Sequence, residues 1–119
     1  MSRDWLLYLD DLIASAEKVV RFTQGRSLTQ WQADEAAFDA VLFNLQVIGE
    51  ATKKLPEAAA GRLSEPHRRG PARLRDLIAH HYFTLDARII WDVASLHVPA
   101  LLIEAVALRD QVDHGGLDA

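Results

Sequence analysis

Between Ala37 and Leu55 the chain places Ala37, Val41, Leu45, Ile48, Thr52 and Leu55 at intervals of three and four. That spacing follows the turn of an α-helix and gathers all six on one side of it. A second row, Phe43, Val47 and Ala51, lies beside the first. A helix apolar over more than half its circumference sits in the centre of a bundle, serves a subunit interface, or does both. No stretch of the chain alternates in the two-residue rhythm of a strand, so the class is all-α.

The remaining helices are placed around this one. Ser2 or Asp4 stands where a cap is needed for a first helix carrying Trp5, Leu9, Leu12, Ile13, Ala16, Val20 and Phe22, which Gly25 ends. Ser27 to Gln32 reads as a connector whose Leu28 and Trp31 turn back on the core, and Asp34 as the cap of the central helix, 35–55. Pro56 opens a short helix that stops near Gly61. Ser64 to Pro71, with two prolines and a glycine, reads as a loop. Pro71 then falls in the first turn of a third main helix that carries Leu74, Leu77 and Ile78 and ends near Tyr82. Asp86 caps a further helix with Ile89, Ile90, Trp91 and Val93. Pro99 marks the start of the last one, Leu101 to Val112. Residues 113–119 form a flexible tail. A chain of 119 residues has the size of one domain. The expected architecture is a bundle of four principal helices with one or two short additional ones.

Composition removes several functions. There is no cysteine, which excludes disulfides, thiolate metal sites and thiol catalysis. The N-terminus meets acidic residues after a few apolar ones, unlike a signal peptide or a membrane span, so a cytoplasmic protein with no membrane partner is expected. The net charge of -4 is unevenly spread. From Arg62 to Tyr82 five arginines face only Glu65 and Asp76, a local excess of +3 that leaves -7 for the rest. A basic patch of this kind suits phosphates, with Arg68, Arg69 and Arg73 as the contacts, although a surface-exposed arginine loop gives the same count.

Adjacent His80 and His81 invite a metal, but neighbouring helical residues point about 100° apart, and no histidine has another three or four residues away. No metal and no cofactor are expected. Phosphate-binding glycine loops and nucleophile elbows are absent from the sequence too. What remains is Arg75, His80 and Tyr82. A side chain that titrates near neutrality can move a proton at a 2'-hydroxyl or a leaving oxygen, and an arginine fork can hold the phosphate as it gains charge. RNA carries its own nucleophile, so such a pair suffices without a metal. Asp76 lies four residues before His80, in place to hydrogen-bond and orient its ring. Arg75 and His80, five apart, diverge by about 140° on a straight helix. They converge only if the helix distorts or a second subunit supplies the missing half. The plainer alternative is an ion-paired Arg75, a core histidine and packing aromatics.

The stretch Arg75 to Tyr82, Arg-Asp-Leu-Ile-Ala-His-His-Tyr, resembles the Arg-x4-6-His signature of HEPN ribonucleases and the Arg-x4-His-x-Tyr form of the HepT-like toxins. The likeness extends to Asp10-Asp11-Leu12-Ile13, Arg21-Phe22-Thr23, Asp39-Ala40-Val41, the run Asn44 to Ala51, Phe83, Asp86, Ile90-Trp91 and Pro99. One departure is that the family's usual Pro-Trp-Arg before the motif helix reads Pro66-His67-Arg68 here. The resemblance implies a HEPN-type bundle that forms a homodimer with the two motifs facing each other across a cleft. It also implies a type VII-like toxin: an endoribonuclease acting on tRNA or mRNA, encoded beside a minimal nucleotidyltransferase antitoxin of the MntA type that silences it by AMPylation. On this chain Arg75 and His80 become catalytic and Tyr82 the AMP acceptor. Asp76, His81 and Glu50 are supporting residues, Glu50 through an approach to the cleft near Arg75. The alternative within the same resemblance is a non-catalytic HEPN module that only docks the nucleotidyltransferase.

Overall fold

A computed structural model describes residues 4–81 and 84–115 of the chain. Helix α1 (Trp5–Thr23) buries Trp5, Leu6, Leu9, Leu12, Ala16 and Val19. Val20, expected on this stripe, is only partly buried, and Val19 takes its place on the inner side. The helix stops before Gly25, whose φ of 76° is a conformation that glycine enters without a Cβ clash. The expected connector is a short helix, α2 (Leu28–Ala33), closed by a reciprocal capping box. The Ser27 hydroxyl accepts the Gln30 N–H at 3.1 Å, and the Gln30 side chain accepts the Ser27 N–H at 2.9 Å. Trp31 is fully buried there, its ring 4.8 Å from Phe38 and 5.4 Å from Trp91.

Helix α3 (Glu35–Lys54) begins where the Asp34 carboxylate accepts the Ala37 N–H at 3.2 Å. That bond, with help from Arg26 at 3.0 Å, holds the Asp34 carboxyl below its ordinary value. The six residues of the first stripe, Ala37 to Leu55, are all buried. Of the second row, Ala51 is buried, Val47 half-buried and Phe43 exposed. A single turn, α4 (Glu57–Ala60), follows Pro56.

Residues 64–71 are not a loop. Helix α5 (Glu65–His81) starts two turns earlier than expected, with the Ser64 carbonyl accepting the His67 and Arg68 N–H groups. Pro66 falls in the first turn, where no backbone donor is needed. Pro71, in the helix interior, forfeits one bond to the His67 carbonyl, and its fully buried ring offsets part of that loss. Gly70 faces Val93 and His97, and a Cβ there would meet the Val93 side chain at 3.4 Å, an ordinary van der Waals contact, so the helix tolerates this glycine without requiring it.

The last two expected helices also join. Helix α6 (Ala87–Asp92), capped by Asp86 on the Arg88 N–H at 2.9 Å, passes through a π turn (Val93–His97) into α7 (Val98–Asp113). Pro99 has no N–H to offer the Ser95 carbonyl and its ring would strike it, and the helix widens over the turn just before it instead of breaking. By length and composition alone this rod, with a mean hydropathy of 1.6 over its most apolar stretch, would suit a membrane span. Its Val98, Leu101, Ala105, Leu108 and Val112 are buried in the common core of the bundle. Asp113, expected in the tail, closes α7. Four principal helices, α1, α3, α5 and the α6–α7 rod, thus enclose the core with two short ones beside them, and the described residues contain no strand.

Candidate active site

The last two turns of α5 carry Arg75, Asp76, His80 and His81. Gly49 of α3 brings the two backbones together here: a Cβ on it would lie 2.6 Å from the Pro71 carbonyl oxygen and 2.7 Å from the Arg75 Cβ. The close approach puts α3 side chains within reach of the motif. Arg75 pairs with Glu50 at 3.3 Å and with Asp76 at 3.2 Å. Asp76 was expected on His80, four residues along its own helix. Its carboxylate instead accepts from Lys53 of α3 at 2.7 Å, and from Arg75. The Lys53 bond, followed by that from Arg75, holds the Asp76 carboxyl below its ordinary value. The full charge of an ammonium outweighs what a ring one turn away offers.

His80 and His81 are exposed, and their imidazoles make no hydrogen bond or ion pair with other described residues. Together with Arg73, Asp76 and Leu77 they line a hollow of about 320 Å³. Arg75 does not open into it. It closes one end of a different groove of about 330 Å³, which runs between α1 and α3 past Tyr8 and Gln46. Arg75 and His80 therefore diverge within one chain, as straight-helix geometry requires. Arg68 and Arg69 lie further along α5 with Lys53 around a third hollow of about 240 Å³, where Arg69 pairs with Glu65. The three arginines expected on phosphate are thus split, Arg73 beside the histidines and Arg68 and Arg69 away from them. Tyr82, the expected AMP acceptor, lies outside the described residues.

A family model described as Ribonuclease HepT-like matches residues 12–108 of this chain. The chain belongs to the HepT-like ribonuclease family. Arg75, His80, Tyr82 and Glu50 all fall inside the matched range. A Methanocaldococcus jannaschii protein that carries a provisional name as an RNase is 35% identical to the HepT-like chain over 97 residues, covering 82% of this chain and 80% of the relative. A Thermococcus cleftensis protein named as a probable ribonuclease HepT is 32% identical over 101 residues, covering 85% and 92%. A longer M. jannaschii protein, whose name joins a gamma-glutamylcyclotransferase to an RNase, is 26% identical over 113 residues, 95% of this chain and 51% of that one. No solved structure matches significantly.

Two features of the HepT-like chain had no signal in sequence spacing. Lys53, on another helix, ties down the motif aspartate. His67 and His97, thirty residues apart in sequence, meet where α5 passes the π turn, with their Nδ1 atoms 3.1 Å apart. His67 occupies the position at which the family resemblance leads one to expect tryptophan, and its ring still packs, 5.4 Å from that of His97.

Proposed function

We propose that this HepT-like chain is a metal-independent endoribonuclease toxin that acts as a homodimer. The observation that carries the reading is a half-buried Arg75 and an exposed His80 on the last turns of one helix, lining separate hollows. Two copies related by a two-fold axis place one chain's arginine opposite the other's histidine. His80, with His81 beside it, takes the 2'-hydroxyl proton or delivers one to the leaving 5'-oxygen. The 2'-oxygen attacks the phosphorus, the P–O5' bond breaks, and the products are a 2',3'-cyclic phosphate and a 5'-hydroxyl. Arg75 meets the charge that builds on the phosphate, and Glu50 and Asp76 hold its fork in place until RNA exchanges for one of them. Arg73 sits in the histidine hollow, where it contacts the RNA backbone, with Arg68 and Arg69 engaging the strand further along α5. Tyr82 is the acceptor for AMP from a minimal nucleotidyltransferase antitoxin, and the added phosphate blocks Arg75 by charge and bulk.

Purified protein incubated with tRNA or mRNA in EDTA is the test. Cleavage with cyclic-phosphate ends that is lost in His80→Ala and in Arg75→Ala, with both variants folded, is the expected result. Loss of wild-type cleavage on adding EDTA overturns the metal-free mechanism. No cleavage of any RNA, and no growth defect on expression without the antitoxin, overturns the nuclease.

A further inference from the structure

The groove that Arg75 closes has a chemistry of its own. It lies between α1 and α3, away from the histidine hollow, and Val47 and Ala51 form an apolar part of its lining. Tyr8, 37% exposed, presents an aromatic ring to it. The Asp11 carboxylate and the Gln46 amide line it too, and neither they nor the Tyr8 hydroxyl make a hydrogen bond or ion pair with other described residues. The contrast with Asp10 is instructive: that carboxylate, one residue earlier, is tied to Arg109 at 3.0 Å. Among the described residues Asp11 ties no two elements together. Glu50 lines the groove as well, but its carboxylate is engaged by Arg75 at 3.3 Å, which leaves Asp11 as the carboxylate open to a ligand. An aromatic ring, an acceptor-only carboxylate, an amide and an apolar surface, beside the Glu50–Arg75 pair, make up what single-stranded RNA recognition uses for one nucleotide.

We propose that this groove is a nucleobase subsite selective for guanine, taking the base of a nucleotide that flanks the phosphate held by Arg75. The proposal rests on the ribonuclease reading and adds a substrate preference to it. The choice of base follows from hydrogen-bond inventory. An ionised carboxylate only accepts, and the guanine edge sets two donors, N1–H and the 2-amino group, side by side with the O6 acceptor. Asp11 accepts the two donors and the Gln46 amide donates to O6. Adenine and cytosine present one amino donor next to a ring nitrogen whose lone pair the carboxylate repels. Uracil presents a single N–H flanked by two carbonyls, which does the same. Tyr8 stacks on the base, a contribution that does not depend on base identity.

The experiment is cleavage of a random-sequence RNA pool in EDTA with sequencing of the new ends. Wild type is expected to show guanine enriched at one fixed position beside the cut. Asp11→Asn should flatten that enrichment and lower kcat/KM for guanine-containing sites about tenfold to a hundredfold, leaving other sites unchanged. Tyr8→Ala should lower kcat/KM about tenfold at all sites, and Tyr8→Phe should not. Asp11 has no hydrogen-bond or ion-pair partner among the described residues, so Asp11→Asn is expected to fold as wild type does, checked by circular dichroism. Cleavage with no base preference, or a guanine preference that survives Asp11→Asn, overturns the subsite and leaves the nuclease standing. If wild type cuts no RNA, the nuclease reading fails, and NMR titration with the four nucleoside 3'-monophosphates decides the subsite alone. Shifts at Tyr8 and Gln46 that are largest for guanosine 3'-monophosphate and weakened in Asp11→Asn uphold it. Equal responses to all four, or shifts confined elsewhere, overturn it.

Discussion

Gly49 has space for a hydrogen atom and nothing larger. A methyl group there meets the Pro71 carbonyl oxygen and the Arg75 Cβ, both closer than 3 Å, and backbone cannot swing aside as a flexible side chain can. Gly49→Ala should therefore cost about 1–3 kcal/mol, the usual range for forced overpacking, read from urea unfolding. Because the collision falls on Arg75, cleavage should drop in the fraction that remains folded. Asp76 gives a pH prediction of definite sign. Its carboxyl is held below the ordinary value by Lys53 and then Arg75, so its stabilising contribution is present at neutral pH and above the ordinary carboxylate range. That contribution is lost as pH falls through the depressed folded value. Urea midpoints followed from pH 7 down to acid should fall less steeply in Asp76→Asn than in wild type, and parallel curves would contradict the assignment.

The helices differ in how well their patterns announced them. In α3 periodicity and the Asp34 cap agreed, and the six-residue stripe is buried as its spacing predicts. In α5 proline and glycine suggested a loop, yet Pro66 is harmless in a first turn, Gly70 is merely tolerated, and Pro71 is fully buried with its carbonyl against Gly49 of α3. The effect of a breaker residue depends on where the helix starts and on what packs against it, neither of which is local. The short α2 owes its place to Trp31, and Trp31→Ala should destabilise the fold by roughly 3–5 kcal/mol, the range for removing a large buried aromatic. At the other end, His114 closes α7 through Nδ1, which lies 2.8 Å from the Asp110 carbonyl oxygen. That backbone bond, and then the Asp110 charge, push its pKa up. Its support for the helix end is full below the ordinary histidine value and is lost as pH rises through the raised one. Cα chemical shifts of Arg109 to His114 should thus lose helical character in wild type as pH rises from below the ordinary histidine value through the raised one. The corresponding shifts should stay level in His114→Gln.

At the scale of the molecule the proposed dimer makes a prediction that no single chain can meet. Arg75→Ala and His80→Ala should each be inactive alone. Unfolded together and refolded as a mixture, they should recover up to roughly a quarter of wild-type activity, since half the dimers are mixed and one of the two sites in each is intact. Absence of recovery, with mixed dimers confirmed by mass spectrometry, would place arginine and histidine of one chain in the same site. The all-α class, the four principal helices, the buried stripe of α3 and the motif near the end of α5 were all legible in the sequence. Each depends on the repeat of a helix and on side chains a few residues apart. The tertiary structure alone decided that Asp76 answers to Lys53 rather than His80, that His67 meets His97, that two expected helices run on as one rod, and that Arg75 opens into a groove with Tyr8, Asp11 and Gln46. The first depends on how closely α3 and α5 approach, set by the bare Cα of Gly49 against Pro71 and Arg75, and the others on which elements pack together and on how the backbone accommodates Pro99. A periodic pattern records none of these.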